Sequence, residues 1–153
     1  MIEIRLAKRD DIPGMLHLIQ ELAEYEKAPE AVIVSRQDMQ QYFDENRFEA
    51  FVASEADDND NIVGMALFYW TYSTWKGKIV YLDDLVVTQS QRRNGIGESL
   101  FDTLINYCKV HGANQLRWHV LDWNHPAISF YKKLNADLDE EWITCKLEKD
   151  RLS

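Results

Sequence analysis

Apolar positions along this chain change period several times, and each change predicts an element. Ile2-Glu3-Ile4-Arg5-Leu6 alternates apolar and polar, the pattern of a half-buried strand. Leu16, Ile19, Leu22 and Ala23 then recur at helical spacing, with Asp10 as the expected N-cap and an end near Tyr25-Glu26-Lys27, before Pro29. Ser35 and Asp38 make a capping-box pair, with Asp where Glu or Gln is usual, and predict a short helix through Met39, Tyr42 and Phe43. Residues 48–55 and 62–72 read as strands around a hairpin loop, Asp57-Asp58-Asn59-Asp60-Asn61, whose acidity is solvated turn chemistry because EF-hand spacing is absent. Further on, Gly112 is placed as a helix C-cap and residues 115–121 as a strand. Asn124 and Pro126 open a helix through Ile128, Phe130, Tyr131 and Leu134, closed by Asn135 in a left-handed conformation. Residues 142–147 supply the last strand. The pattern is that of one α/β domain over residues 1–153, without internal repeats.

One stretch departs from simple patterning. Ile79-Val80-Tyr81-Leu82 and Leu85-Val86-Val87 read as a strand buried on both faces, yet Asp83 and Asp84 sit between them. Alternation would send the two carboxylates to opposite sides of the sheet. An unpaired carboxylate in such a place costs several kcal/mol unless partners or water meet it. The strand then runs through Arg92, Arg93 and Asn94 into Gly95-Ile96-Gly97-Glu98 and a helix with Ile96, Leu100, Phe101, Leu104 and Ile105 on one face. A glycine turn opening a helix offers unpaired N–H groups and a positive dipole end, which suits a phosphate or pyrophosphate. It is not a Walker loop, since Glu98-Ser99 stands where Lys-Ser/Thr is required. Nor is it a dinucleotide fingerprint, because Leu100 occupies the third glycine position and Arg117-Trp118 the place of the ribose-binding acid.

Composition narrows the partners. A formal charge of −9 argues against nucleic acid and anionic membrane surfaces and favours small cationic molecules. No apolar run reaches the length of a membrane span, and the strand-like start at Met1 is unlike a signal peptide, so a cytoplasmic protein is expected. Two cysteines, Cys108 and Cys145, lack the spacing of a zinc site or a disulfide framework and read as packing residues. His17, His111, His119 and His125 form no pair of ligand spacing, so no metal is expected.

Arg92-x-x-Gly95-x-Gly97 after an apolar strand resembles the coenzyme A pyrophosphate motif of the Gcn5-related N-acetyltransferases. Glu21 to Lys27, Tyr72 to Gly77, Tyr81 to Asp84, Leu121 to Asn124 and Phe130 to Lys132 extend the resemblance over the whole chain, to the diamine (spermidine/spermine) acetyltransferases. It is closest to their thialysine Nε-acetyltransferase branch, whose pattern Ser73-Thr74-Trp75-Lys76-Gly77 and Val120-Leu121-Asp122-Trp123-Asn124 resemble. The resemblance implies a mixed, mostly antiparallel sheet of six to seven strands with about four helices, acetyl-CoA as co-substrate, and a homodimer.

It also implies roles. Leu85, Val86 and Val87 would hold the pantetheine arm and oxyanion, Arg92 to Glu98 the pyrophosphate, and Asn124, His125, Pro126, Ala127 and Leu134 the other side of the coenzyme. Tyr25, Glu26, Trp75, Asp83, Arg117, Trp118 and His119 would meet the amine, with Trp70 and Tyr72 adding to an aromatic cluster. Tyr131 would be the general acid toward the thiolate, a near-matched transfer between groups titrating near about 10 and 8.5. Asp83 would take the ammonium proton through water; the family typically carries Glu there. Asp84 reads as structural. The polyamine branch typically has Asp at the position of Ser73, so lysine-like amines are expected to be preferred to spermine. Acetylation of a protein lysine or N-terminus, and a coenzyme-binding regulatory module without turnover, remain open readings.

Overall fold

Alternation and ladder pairing together make four long antiparallel strands. In the computed structural model, which describes residues 1–153, β1 (Ile2–Leu6), β2 (Glu49–Glu55), β3 (Asp58–Ser73) and β4 (Gly77–Val87) pair in chain order, and β5 (Leu116–Arg117) joins β4 in parallel. The helices are α1 (Ile12–Tyr25), α2 (Arg36–Asp44), α3 (Ile96–Val110) and α4 (His125–Lys133). The chain divides into two compact units, Met1–His119 and Val120–Ser153. The first holds the sheet with α1 to α3, the second α4.

Each face of the sheet has its own core. Ala50, Val52, Met65, Leu67 and Val86 pack with Ile12, Met15 and Leu18 of α1 and Met39 of α2. On the other face Phe51 and Phe68 meet Tyr107 of α3, whose hydroxyl accepts from Trp70 Nε1 at 3.1 Å and donates to Glu49 at 3.1 Å. Leu100 and Leu104 of α3 are fully buried. Each such side chain contributes roughly 1.5–3 kcal/mol by leaving water. Gly64 lets α3 approach so closely: a Cβ there would stand 3.2 Å from Leu100 and from the Val86 carbonyl.

Several end signals form as the sequence indicates. Ser35 Oγ accepts from Asp38 N while Asp38 accepts from Ser35 N, both at 3.0 Å. Gly112 and Asn135 both take positive φ after α3 and α4. Asn124 caps α4 through a bond from Ala127 N at 3.4 Å.

Other expectations are corrected. The residue before α1 is Asp11, not Asp10. Burial works against the Asp11 carboxylate, but Arg5, at 2.8 and 3.0 Å, and the Lys8 N–H, at 2.7 Å, outweigh it and hold its pKa low. The hairpin loop shrinks to Ala56-Asp57, because Asp58 pairs with Glu55 and Ile62 with Ser54, and Asn59 to Asn61 are carried within β3 as a bulge at the register shift. The sheet has five strands rather than six or seven. β5 stops at Arg117, since β4 offers it partners only at Val80 and Tyr81. Residues 142–147 form no strand: Trp142, Ile143 and Leu147 are exposed, and alternation without a ladder partner does not make one. Cys108 is buried as expected, whereas Cys145 is exposed.

Candidate active site

The carboxylates of β4 sit where the ladder is irregular. Leu67 pairs with Asp84 and Phe68 with Leu82, so Asp83 is an extra residue, a bulge, in β4. The strand runs on through both acids without a break. The bulge breaks strict alternation, and the expected division of the two acids between opposite faces does not occur. Asp84 lies on the α1 face, opposite Leu67, and Asp83 acts on it and on Tyr69 and Tyr81 of the same face.

Burial, then the charges of Asp83 and Glu26, push Asp84 up to about 7. Burial also raises Asp83, with His119 opposing, and raises Glu26 at the end of α1. Asp83 is open to solvent by its own surface yet desolvated by the protein around it, as expected at the rim of a concavity. Three carboxylates whose proton affinity is raised by burial, that of Asp84 also by the charges of the other two, form a cation-attracting centre. The residue missed by the sequence reading is Asp84. Its signal was present, a second acid inside an apolar strand, but its proximity to Glu26 was not.

β4 and β5 part just before this centre. Their pairing ends at Tyr81↔Arg117, so β5 does not cover the edge of β4 from Leu82 to Val87. Leu85 and Val87 are partly exposed there, Val86 is in the core, and the Val87 carbonyl accepts from Arg92 Nε at 3.0 Å. Of the triplet after the fork, Arg117 bonds Gln115 at 2.7 Å, His119 bonds the Tyr81 hydroxyl, and Trp118 turns to the other face against Phe101 at 5.1 Å. The structure therefore brings Asp83, Glu26 and His119 to one centre and leaves Trp118 in the packing.

Trp75 is not brought there. It is 83% exposed at the tip of the β3–β4 hairpin, where Ser73 pairs with Gly77, about 20 Å along the strand from Asp83. Ser73 shapes that tip by accepting from the N–H groups of Trp75 and Lys76, both at 3.2 Å. Trp70 is held by Tyr107 on the α3 face and Tyr72 is exposed, so the expected aromatic cluster does not assemble.

Beyond β4 lies the glycine turn. Arg93 and Gly95 both have left-handed φ, at 70° and 75°, and Gly95 is the N-cap of α3, followed by Ile96, Gly97 and Glu98. A Cβ on Gly95 would meet nothing within 4 Å, so the backbone stands open to a ligand. Left-handed turns of this kind gather N–H groups into an anion-binding concavity. Arg93 and Asn94 are exposed at its rim. Arg92 is committed otherwise: besides Val87 it lies 5.6 Å from the Tyr25 ring and 3.9 Å from Glu21. Glu21 in turn accepts from Thr88 Oγ1 at 3.0 Å and Gln89 N at 2.9 Å, tying α1 to the turn. These residues suit a phosphate-bearing ligand, with Arg92 as the strut and the α3 amides as donors.

In the second unit Tyr131 lies on α4, whose first turn carries His125, Pro126 and Ala127 behind the Asn124 cap. Leu134 is the C-cap residue.

A sequence profile of the Acetyltransferase (GNAT) family matches residues 14–136. A thialysine N-epsilon-acetyltransferase of Bos taurus is 39% identical over 147 residues, covering 91% of this chain and 86% of that protein. Spermidine/spermine N(1)-acetyltransferase-like protein 1 of Homo sapiens is 30% identical over 159 residues, covering 98% of this chain and 23% of that longer protein. Among solved structures, an aminoglycoside acetyltransferase from an uncultured soil metagenomic sample is similar in fold, with a TM-score of 0.79 at 20% identity, covering 96% of this chain and 95% of that one.

Proposed function

We propose that this chain, which belongs to the acetyltransferase (GNAT) family, moves the acetyl group of acetyl-CoA directly to a primary amine of a small cationic metabolite in a ternary complex. It is an N-acetyltransferase. The amine class is thialysine- or lysine-like, with polyamines as the related class, in keeping with the names of its relatives. The observation that carries this reading is the acidic centre of Asp83, Asp84 and Glu26 at the mouth of the β4–β5 fork.

Acetyl-CoA supplies the activated acyl group, and the residues do the rest. The amides of α3 and the turn through Arg92, Arg93, Asn94 and Gly95 hold the pyrophosphate. Uncovered backbone at Leu85 to Val87 holds the pantetheine arm and the carbonyl oxygen on which charge develops. The family resemblance also assigns Asn124, His125, Pro126, Ala127 and Leu134 to the coenzyme, and residues 1–153 are taken as one catalytic domain.

The amine arrives as an ammonium, since such groups titrate near about 10.4. Asp83, Asp84 and Glu26 attract it, with Tyr25, Arg117 and His119 bordering the centre. Asp83 and Asp84 act as a coupled pair and take one proton, directly or through water. A carboxylate raised to about 7 suits this step far better than an ordinary one. The neutral nitrogen then bonds to the acyl carbon, the carbon–sulfur bond breaks, and Tyr131 protonates the departing thiolate. Turnover without a metal, a homodimer and a cytoplasmic setting complete the proposal; the two unpaired cysteines suit a reducing compartment.

A steady-state screen with acetyl-CoA tests it, using thialysine, lysine, spermidine, spermine and lysine-bearing peptides. Small amines should be acetylated with stoichiometric release of the coenzyme thiol. Turnover of peptides alone, or of no amine, would overturn the assignment.

A further inference from the structure

An acidic centre that binds an ammonium also holds its proton. Attraction of the cation and release of the proton are opposed tasks, and one proton must reach solvent per turnover. Asp84 is half-buried and Glu26 and Asp83 repel its charge, so a proton on this cluster needs a way out.

The β4–β5 fork provides one. Tyr81 pairs with Arg117 where β5 ends, and His119, two residues past that end, stands near enough to Asp83 for its charge to oppose the rise in the carboxylate's pKa. His119 Nδ1 is hydrogen-bonded to the Tyr81 hydroxyl and its ring lies 5.5 Å from the Tyr81 ring. Tyr81 is braced from behind by Tyr69, stacked at 5.3 Å. The imidazole is solvent-exposed, whereas Tyr69 and Tyr81 are partly covered. Imidazole is the side chain best suited to accept and surrender protons near neutrality.

The geometry points to His119 as the proton relay of this active site, held in place by Tyr81 and carrying the ammonium proton from the Asp83–Asp84 pair to solvent. The inference rests on the acetyltransferase reading and adds to it the route of the proton. The ammonium gives one proton to the carboxylate pair, and the pair passes it to the imidazole, which becomes imidazolium and releases it to water. Amide formation frees the second nitrogen proton, and the thiolate takes one from Tyr131, which is reprotonated; one proton per turnover leaves the protein. The imidazole meets Tyr81 and Asp83 of β4, and the charged and titratable groups around those two are Tyr69 on β3, Asp84 on β4, Arg117 at the end of β5 and Glu26 on α1. Tyr81 stays protonated throughout, because burial first, and then Tyr69 and Asp83, push it up to about 12. It therefore orients the ring and does not compete for the proton.

The test separates relay from scaffold. His119→Gln should lower kcat about tenfold or more with KM for amine and acetyl-CoA within about twofold. Added imidazole should restore much of the rate of His119→Ala, and Tyr81→Phe should show an intermediate loss in kcat. An unchanged kcat in His119→Gln, a loss confined to KM, or the lack of imidazole rescue would overturn the relay. Nitrogen NMR of the His119 ring reads the wiring whether or not an amine is turned over. Tyr81→Phe should move the Nδ1 resonance, and superimposable spectra would overturn the proposal. Failure of the acetyltransferase reading is distinguishable, since wild type would then turn over no amine while the ring spectrum still reports on Tyr81 and His119.

Discussion

Asp84 shows how one residue can oppose stability and serve chemistry. Its pKa is raised from the ordinary carboxylate range to about 7, by burial first and then by Asp83 and Glu26. A raised pKa means that stability is fully present below the ordinary value, near 3.8, and is lost as pH climbs through about 7. Asp84→Asn should therefore stabilise the protein at pH 8 by about 1–3 kcal/mol, discounted for solvent at a half-buried site, and change little near pH 4. Thermal melts at both pH values check this. The same variant should lose most of its turnover, and the wild-type kcat/KM should rise as pH passes through about 7, since only the ionised pair accepts a proton. Tyr131→Phe is the complementary case. Loss of the general acid should lower kcat by about 10²-fold or more while acetyl-CoA affinity, measured calorimetrically, persists.

At the scale of elements, two junctions matter: the bulge in β4 and the turn into α3. The bulge was invisible in the apolar pattern, because it depends on which residues of β3 face β4. The turn was legible, because glycine spacing and a helical face declare it. Gly97 offers the cleaner test of the coenzyme cradle. Gly95 has φ 75°, so any side chain there strains the backbone, whereas a Cβ on Gly97 would make only an ordinary contact of 3.7 Å with Val87. Gly97→Val should leave the circular dichroism and melting of the fold nearly intact and weaken acetyl-CoA binding at least tenfold. Unaltered affinity would remove the turn from the coenzyme site.

For the molecule as a whole, distance decides which surface features bear on the amine. The hairpin tip lies about 20 Å from Asp83, well beyond a Debye length of about 8 Å at physiological salt. Ser73 at that tip was expected to set the preference for lysine-like amines over spermine, yet its hydroxyl shapes the turn. Ser73→Asp should thus alter kcat/KM for spermidine and spermine by less than about threefold. A gain of tenfold or more would mean that a second copy of the chain brings its tip to the site. Sequence by itself determined the helices, the caps of α2 and α4, the four long strands, the glycine turn and the family resemblance, because those are written in local spacing and in residues that act through their own backbone. Tertiary structure alone decided that β5 ends at Arg117, that residues 142–147 pair with nothing, that Trp118 and Trp70 are packing residues, and that Asp84 joins Asp83 and Glu26. Each of those depends on what stands opposite a residue across the sheet, and the charge a carboxylate feels is set by neighbours far away in the chain.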